Sequence, residues 1–326
     1  MLAWMLLYFV LAAAGTWLAR RYALKRDLLD RPDERRSHAV TTPRGGGIAI
    51  VAALLVACVA LTIRLPDQAL LMAAFAAGLV VVAGAGWFDD HRPTSPWVRL
   101  GAHAVAATLF AGAILHVFAD PWLAGAAAIA ILVLVNVWNF MDGINGLAAT
   151  QTMLVAFALG AFIGGPWTGV ALALAAACLG FLPFNFPRAA IFLGDVGSGA
   201  LGYAVGAITI MASATQSMPW PLLFLPLSTF LVDAGLTLLM RMRRGERWWT
   251  AHVQHSYQVW VRSGAGHATV TFVYMAWTLL AILLMLGLRQ SSPLFMLCGV
   301  VAWYMSSAFA WWLLRRAAQQ RVLRNH

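Results

Sequence analysis

Two adjacent carboxylates stand where a long apolar segment gives way to a polar one. The string GWFDDHRPTSPWVRL holds Asp89 and Asp90, and Arg99 follows at the start of the next apolar segment. A solvated turn with a helix cap is one interpretation of such a pair. Acids kept at a membrane edge usually bind ions or take part in catalysis, so we favour a role in phosphate or cation chemistry.

A second polar string, NVWNFMDGINGLAA, spaces its side chains at helical intervals. Asn136, Asn139 and Asp142 lie three residues apart and share one face if the helix continues through them. Gly143 and Gly146 would then allow a tight turn and a close approach to a ligand. Amides that cap a helix end are the alternative. Carboxylate and amide oxygens suit Mg²⁺ together with phosphate, so we expect cation binding here.

A glycine-rich turn precedes a further apolar segment in FLPFNFPRAAIFLGDVGSGALGY. Asp195 stands at the expected helix start, between Gly194 and Gly197. Free backbone amides at a helix N-terminus bind phosphate, and a carboxylate there can hold a cation that bridges phosphate oxygens. The sequence therefore predicts a phosphate cradle at this turn. Gly202 and Gly206, further along, are expected to serve helix packing.

Basic residues and histidines dominate the last long polar string, RMRRGERWWTAHVQHSYQVWVRSGAGH. A zinc site is one interpretation of His252, His255 and His267, but no cysteine accompanies them. Basic and imidazole groups that face a diphosphate are the interpretation that we favour. Asp233 lies inside the preceding apolar segment, where it either pairs with a basic group or forms an intramembrane ion site.

Long apolar segments must position all of these groups. The chain has 326 residues, of which 62% are hydrophobic and 10% charged, and this excludes a soluble globular domain. A helix that spans a bilayer needs roughly 20 mostly apolar residues. We expect an all-α polytopic membrane protein with ten or eleven spanning helices, in a single integral membrane domain over residues 1–326. The expected spans are 1–19, 46–63, 69–87, 99–117, 122–138, 147–164, 167–184, 197–213, 220–240, 268–288 and 294–314.

The distribution of Lys and Arg predicts the orientation in the bilayer. With the N-terminus in the periplasm and the C-terminus in the cytoplasm, all of the 22 basic residues except Arg64 and Arg289 lie on the inner side. Anionic lipids and this bias account for the net charge of +10, so we expect no nucleic-acid partner. The polar strings then fall on five cytoplasmic loops, at about 20–45, 88–98, 139–146, 185–196 and 241–267.

Together and in this order, the strings resemble the polyprenyl-phosphate N-acetylhexosamine-1-phosphate transferase family, glycosyltransferase family 4, from about Arg31 to His267. The resemblance implies an enzyme of the bacterial cytoplasmic membrane with its active site facing the cytoplasm. It would transfer a sugar-1-phosphate from a UDP-sugar to undecaprenyl phosphate and release UMP, as O-antigen initiators do. The sugar would be GlcNAc, FucNAc, QuiNAc or a similar N-acetylhexosamine. Mg²⁺ would be the cofactor, with Mn²⁺ as an alternative, and a homodimer is left open.

The resemblance also implies roles for residues of the first two strings and the glycine-rich turn. Asp89 and Asp90 match an acidic pair that acts on the lipid phosphate, and Arg99 matches a basic residue that contacts it. Asn139 and Asp195 match the magnesium ligands. Direct attack by the lipid phosphate and a phosphoryl-enzyme formed on one aspartate are both compatible with this set.

Further matches concern the nucleotide and the sugar. Asp142 matches the Asp of the family's DG motif, Asn185 and Phe192 match groups that hold the uracil, and the pair His252 and His255 matches the histidine loop. In the first loop, RRSHAVTTPRGGG resembles an early motif of the family. This places His38 and Arg44 near the nucleotide.

Two departures from the family pattern are visible. Many bacterial members have Asp where this chain has Asn145, so we expect Asn145, like Asn136, to bind substrate rather than to carry a proton. Ser256 stands where some members have a further histidine. The rival interpretations of the whole chain are a membrane transporter with an ion site at Asp233 and a non-catalytic protein that binds polyprenyl lipid.

Overall fold

The computed structural model describes residues 1–31, 40–215, 218–247, 249–250 and 252–324. Within these ranges the chain forms thirteen α-helices and a pair of very short strands. The helices are α1 (Leu2–Lys25), α2 (Ile48–Arg64), α3 (Ala69–His91), α4 (Pro96–Phe118), α5 (Pro121–Phe140), α6 (Leu147–Ile163), α7 (Gly165–Asn185), α8 (Asp195–Ala214), α9 (Trp220–Leu223), α10 (Ser228–Arg243), α11 (Ser256–Arg262), α12 (His267–Leu288) and α13 (Pro293–Arg324).

Most of these helices have the length and composition of membrane spans. Among the described residues, eight helices are long and apolar enough to cross a bilayer, namely α1, α3, α4, α5, α7, α8, α12 and α13. The helices α2 and α6 are apolar but shorter. The expectation of an all-α, multi-pass membrane protein is confirmed at this level, and the number of spans and their orientation stay predictions.

The ninth expected span, 220–240, is wrong as a continuous helix. The chain forms a single turn in α9, leaves the helix at Phe224, and resumes only at Ser228 in α10. Pro226 lies in this gap. Proline lacks the backbone N–H that a helix interior needs, and its ring collides with the preceding turn. The apolar run is thereby divided, and α10 extends to Arg243 beyond the expected end.

Helix α8 lies at the centre of the bundle and is 94% buried along its apolar stretch. It packs against α3, α5 and α6. A Cβ at Gly202 would lie 2.4 Å from the carbonyl oxygen of Leu134 in α5, and one at Gly206 would lie 3.1 Å from Cα of Ile131. The expectation that these two glycines serve helix packing is confirmed. The middle of α8 is therefore packed closely against α5.

The first long loop returns to the bundle through a short antiparallel pair, β1 (Leu29–Asp30) and β2 (Thr42–Pro43). No pattern in the sequence predicts strands of two residues. The carbonyl oxygen of Pro43 accepts a hydrogen bond from the amide of Phe192 over 2.8 Å, and Gly46 donates to the carbonyl of Phe192 over 2.9 Å. The first loop therefore lies against the loop that precedes α8.

Candidate active site

Arg99 joins two of the expected site carboxylates. Its Nη1 lies 2.9 Å from Oδ2 of Asp89, at the end of α3, and 3.1 Å from Oδ2 of Asp195, at the start of α8. Asp89 also accepts from the amide and the hydroxyl of Thr94, at 2.7 and 2.6 Å. Two acids separated by more than a hundred residues thus share one guanidinium at a single end of the bundle, which we call the site face.

Asp90 points the other way, into the protein, and is 3% exposed. Its Oδ1 accepts from the amide of Asp195 and its Oδ2 from the amide of Val196, both over 3.1 Å. The next two amides of α8, those of Gly197 and Ser198, bond to the carbonyl of Gly194. The prediction of free amides that cradle a phosphate at this turn is wrong, because a carboxylate of the protein already binds them.

The glycines of this turn instead permit a close approach of two backbones. A Cβ on Gly47 would lie 2.2 Å from Cα of Gly197. The contact brings the end of the first loop against the start of α8 and places Arg44 beside Asp90. The Nη2 of Arg44 donates to the carbonyl oxygen of Asp90, and its Nε lies 3.9 Å from Oδ1 of Asp90.

Asn139, in the last turn of α5, also reaches Asp195. Its Nδ2 donates to Oδ1 of Asp195 over 2.9 Å and to the hydroxyl of Ser198 over 3.0 Å. Asn136 does not join them, since its Nδ2 donates to the carbonyl of Leu132 in its own helix over 2.7 Å. The amide of Asn139 thus completes a cluster with Asp195 and Arg99.

The continuous helical face expected for these side chains is wrong. Helix α5 ends at Phe140, so Asp142 lies in the loop beyond it. Burial raises the pKa of the Asp142 carboxyl well above its usual range, and the negative charges of Asp195 and Asp90 raise it further. Asp142 therefore holds a proton more readily than an ordinary aspartate does.

Two amide side chains tie the loop after α5 to the loop before α8. Asn185 accepts from the amide of Gly146 over 2.7 Å and donates to the carbonyl of Ile191 over 2.9 Å. Asn145 donates to the carbonyl of Pro187 over 3.1 Å. Asn185 is buried and both ends of its amide are occupied, so in this structure it braces the two loops from within. Phe192 is half-buried on the same loop.

The histidine loop lies next to the end of α5. The rings of His252 and His255 are 4.8 Å apart, and the ring of His255 lies 6.0 Å from those of Phe140 and Tyr257. His255 is 3% exposed, whereas His252 is half-buried. Burial, together with the nearby His255, Arg241 and Arg315, lowers the pKa of His252 to about 3. His252 is therefore a neutral imidazole near pH 7 in this structure.

Comparison with known proteins agrees with the family resemblance over most of the chain. Residues 71–213 match the sequence profile described as glycosyl transferase family 4. A decaprenyl-phosphate N-acetylglucosaminephosphotransferase of Mycobacterium tuberculosis is 27% identical over 81% of this chain and 76% of its own length. An undecaprenyl-phosphate alpha-N-acetylglucosaminyl 1-phosphate transferase of Yersinia pestis is 26% identical over 86% of this chain and 82% of its own.

These matches support the assignment of the chain to glycosyl transferase family 4. A probable undecaprenyl-phosphate N-acetylglucosaminyl 1-phosphate transferase of Bacillus subtilis is 30% identical over 60% of this chain and 58% of its own length. The protein is a transferase enzyme. The profile match begins in α3 and ends in α8, so it contains the cluster of Asp89, Arg99, Asn139 and Asp195.

The donor set of this family 4 site suits a magnesium ion. No group of three or more His, Cys, Asp and Glu side chains that could hold a metal ion occurs among the described residues. Mg²⁺ needs no such group, because it is commonly bound by one or two protein carboxylates together with water and substrate phosphates. Asp195 and the amide oxygen of Asn139 are oxygen ligands of this kind.

The cluster also contacts residues that the sequence did not point to. Ser198 receives the second hydrogen bond of Asn139, and Thr94 holds Asp89. Tyr257 donates to the carbonyl of Phe140 over 3.0 Å and so joins the histidine loop to α5. Ser198 stands one helical turn after Asp195 in the glycine-rich string, and this helical spacing could have identified it as a neighbour of Asp195. Tyr257 follows His255 with no sequence feature that predicts its contact. The expected site residue His38 lies outside the described residues.

Proposed function

We propose that this enzyme transfers an N-acetylhexosamine-1-phosphate from a UDP-sugar to undecaprenyl phosphate and releases UMP. The observation that supports this reaction best is the convergence on Asp195 of Arg99 and Asn139, from α4 and α5. A guanidinium, a carboxylate and an amide at one membrane edge fit two anionic phosphates. The relatives from Mycobacterium tuberculosis and Yersinia pestis are both named for N-acetylglucosamine, so UDP-GlcNAc is the first donor to test.

Asp195 and Asn139 would hold the magnesium ion of the reaction. When bound, Mg²⁺ would neutralise the charge that develops during phosphoryl transfer. Asn139 donates its Nδ2 to Asp195 and Ser198, which leaves its Oδ1 as the atom available to a cation. Asp90 fixes the backbone of Asp195 by binding its amide, so Asp90 serves as a positioning residue.

Arg99 would orient the acceptor. A guanidinium has five N–H donors in a planar fork, and the two ion pairs of Arg99 both use Nη1. Its other donors can therefore bind the phosphate of the lipid. Asp89 keeps the guanidinium in place through the 2.9 Å contact. The same contact would place a carboxylate beside the incoming acceptor phosphate.

The chemical step needs little proton transfer. A phosphate monoester is largely ionised near neutral pH, so its oxygen can attack the phosphorus that bears the sugar. The new P–O bond forms as the bond to the bridging oxygen breaks, and UMP leaves with that electron pair. Positioning and electrostatic stabilisation supply most of the rate. The partly exposed His252 would contact the donor's diphosphate, with His255 packed behind it.

A covalent route through Asp89 is the alternative to direct attack. Asp89 would attack the sugar-bearing phosphorus, UMP would leave, and the lipid phosphate would then displace the aspartate. The two routes differ in a measurable way. Direct attack predicts no UMP from the enzyme, donor and Mg²⁺ without acceptor, and no labelled protein. A burst of UMP close to one per enzyme, with the sugar phosphate retained on Asp89, would instead establish the covalent route.

The proposed sidedness places the site face in the cytoplasm, where UDP-sugars are made. It is supported by the positions of the 22 basic residues, of which only Arg64 and Arg289 fall on the other side. A single cysteine introduced at Asp67, at the opposite end of the bundle, should react with a membrane-impermeant maleimide added to intact cells. Labelling of a cysteine at Thr94 instead would reverse the orientation.

Purified protein in detergent tests the reaction. UMP release should require undecaprenyl phosphate, Mg²⁺ and UDP-GlcNAc or another UDP-N-acetylhexosamine from a panel. Asp195→Ala should reduce the rate at least about 100-fold, as expected for loss of a group that binds the reacting charge. Asp67→Asn, an exposed acid at the opposite end of the bundle, is the control and should retain activity. No release with any donor from folded protein would exclude the proposal.

A further inference from the structure

Asp233 is a buried carboxylate outside the cluster around Asp195. It lies in α10 and is 1% exposed. A buried charge is costly unless hydrogen bonds satisfy it, and this one is fully engaged. Its donors, within the described part of the chain, come from four helices. Oδ1 of Asp233 accepts from the amide of Ser256 at 2.8 Å, Nε1 of Trp311 at 2.9 Å and Oγ1 of Thr237 at 3.3 Å. Oδ2 accepts from the hydroxyl of Tyr274 at 2.6 Å and the amide of Tyr257 at 3.4 Å.

These contacts favour a structural role for Asp233 over the ion site of the transporter interpretation. Of the hydrogen bonds named above, Oδ1 of Asp233 accepts three and Oδ2 accepts two, so donors of the protein surround the carboxylate. Two of the donors are consecutive backbone amides in the first turn of α11. Asp233 therefore caps this short helix in the same way that Asp90 caps α8.

The capped helix is joined directly to the histidine loop. Helix α11 has seven residues and begins immediately after His255. A helix this short is not stable by itself, so its position depends on what holds its ends. Asp233 holds the first turn. In that turn, Tyr257 donates to the carbonyl of Phe140, and a Cβ on Gly143 would lie 2.2 Å from the Tyr257 hydroxyl oxygen.

Two arginines hold the preceding part of the same loop. Arg241, in α10, donates to the carbonyl of Arg247 over 2.8 Å and to the hydroxyl of Thr250 over 3.1 Å. Arg315, in α13, donates to the carbonyl of Gln254. Cations thus bind the loop's carbonyl groups, and the carboxylate of Asp233 binds the amides that follow. His252 and His255 lie between these attachment points.

We propose that Asp233 is a positioning residue of the transferase, which holds His252 and His255 against the active site by binding the amides of Ser256 and Tyr257. It contacts neither substrate and acts on the reaction through the histidines. The kinetic part of this inference rests on the proposed function. The structural part does not, and it is tested separately.

Hydrogen exchange measured by mass spectrometry tests the structural part. Asp233→Asn places an amide N–H₂ among hydrogen-bond donors. In this variant, peptides that cover 252–262 should exchange faster than in the wild type. Exchange of the peptides that cover 193–200 should not change. The matched control is Asp120→Asn. Asp120 also accepts from two consecutive helix amides, those of Trp122 and Leu123, but at the opposite end of α5. Unchanged exchange over 252–262 would overturn the inference.

A milder variant keeps the test decisive if Asp233→Asn does not fold. Tyr274→Phe removes a single donor to Asp233 and adds no polar group. It should increase exchange over 252–262 by a smaller amount and leave 193–200 unchanged. An increase spread equally over both segments would assign Asp233 to general stability of the bundle and would count against a specific role.

A double-mutant cycle tests the kinetic part. We expect Asp233→Asn to lower kcat about 10- to 100-fold, as a displaced catalytic group does, with little change in KM for undecaprenyl phosphate. In a His252→Gln, His255→Gln background the same substitution should change kcat less than about twofold, because coupled residues are not additive. Full additivity would overturn the inference.

Absence of activity in the wild type would reject the proposed function, while the exchange data would still decide whether Asp233 holds the loop.

Discussion

The backbone amide of Asp195 donates a hydrogen bond to Oδ1 of Asp90 over 3.1 Å, so one aspartate of the site supports the other. Its neighbour Asp89 faces Arg99 instead. Adjacent residues on a helix point in directions about 100° apart, and α3 uses this difference to give the two acids separate tasks. Asp90 joins α3 to α8, and Asp89 faces the space where the acceptor phosphate would bind.

The first prediction separates these tasks. Asp90→Ala should lower the melting temperature in detergent, because it leaves two buried amides of α8 without a partner, at a cost of about 1–3 kcal/mol. Activity should fall with it. Asp89→Ala should reduce UMP release with a smaller effect on melting, since Asp89 is bonded to a loop and to a partly exposed arginine. An Asp90→Ala protein that melts like the wild type but is inactive would show that Asp90 acts on substrate.

The composition of the chain predicted the bundle well, because an apolar run of the required length has few alternatives to a spanning helix. The ninth span was wrong because hydropathy alone does not register the backbone N–H that Pro226 lacks. The two-residue strands β1 and β2 were missed because they are fixed by contacts of the first loop with Phe192, and such contacts leave no periodic pattern in the sequence.

The site was predicted less completely. Residue types identified Asp89, Arg99, Asn139 and Asp195, and the structure brings these four together. The direction in which Asp90 points depends on how α3 is rotated against α8, and this is a property of packing. The same holds for Asp233, whose donors among the described residues extend from Thr237 to Trp311. A sequence shows that such an acid is unusual, but not which amides it will bind.

The second prediction concerns Asn145, where many bacterial members have aspartate. Here Nδ2 of Asn145 donates to the carbonyl of Pro187. Asn145→Asp would replace this donor by a carboxylate oxygen that repels the carbonyl. We expect a loss of about 1 kcal/mol of stability and a lower kcat, as the two loops separate. Asn145→Ala removes the bond without repulsion and should be the milder change. An aspartate variant as stable as the wild type would refute this account.

The third prediction concerns the contact between Gly143 and Tyr257. A Cβ on Gly143 would lie 2.2 Å from the hydroxyl oxygen of Tyr257 but 3.0 Å from its nearest ring carbon. Gly143→Ala should therefore displace α11 and lower kcat about 10-fold or more. Adding Tyr257→Phe removes the atom in closest conflict and should restore part of the activity. The comparison requires UMP release from the two single variants and the double variant. A double variant no better than Gly143→Ala would show that the hydroxyl is not the obstacle.

The last prediction concerns stability as a function of pH. Burial lowers the pKa of His252 to about 3, and it also lowers the pKa of His255. His255, Arg241 and Arg315 lower the pKa of His252 further, whereas the charge of Asp233 raises it. An unfolded chain protonates its histidines below about pH 6.5. As the pH falls from there toward 3, the unfolded state gains protons that the folded state does not, and stability is lost.

His252→Gln removes one of these titrating groups, so its melting temperature should fall less steeply than that of the wild type between about pH 7 and about pH 5. The measurement is a set of melting curves in detergent at fixed ionic strength. Parallel curves for the wild type and His252→Gln would mean that the folded enzyme protonates His252 at the same pH as the unfolded chain does. The imidazole would then meet the donor's diphosphate as a cation below about pH 6.5, rather than as a neutral hydrogen-bond donor throughout.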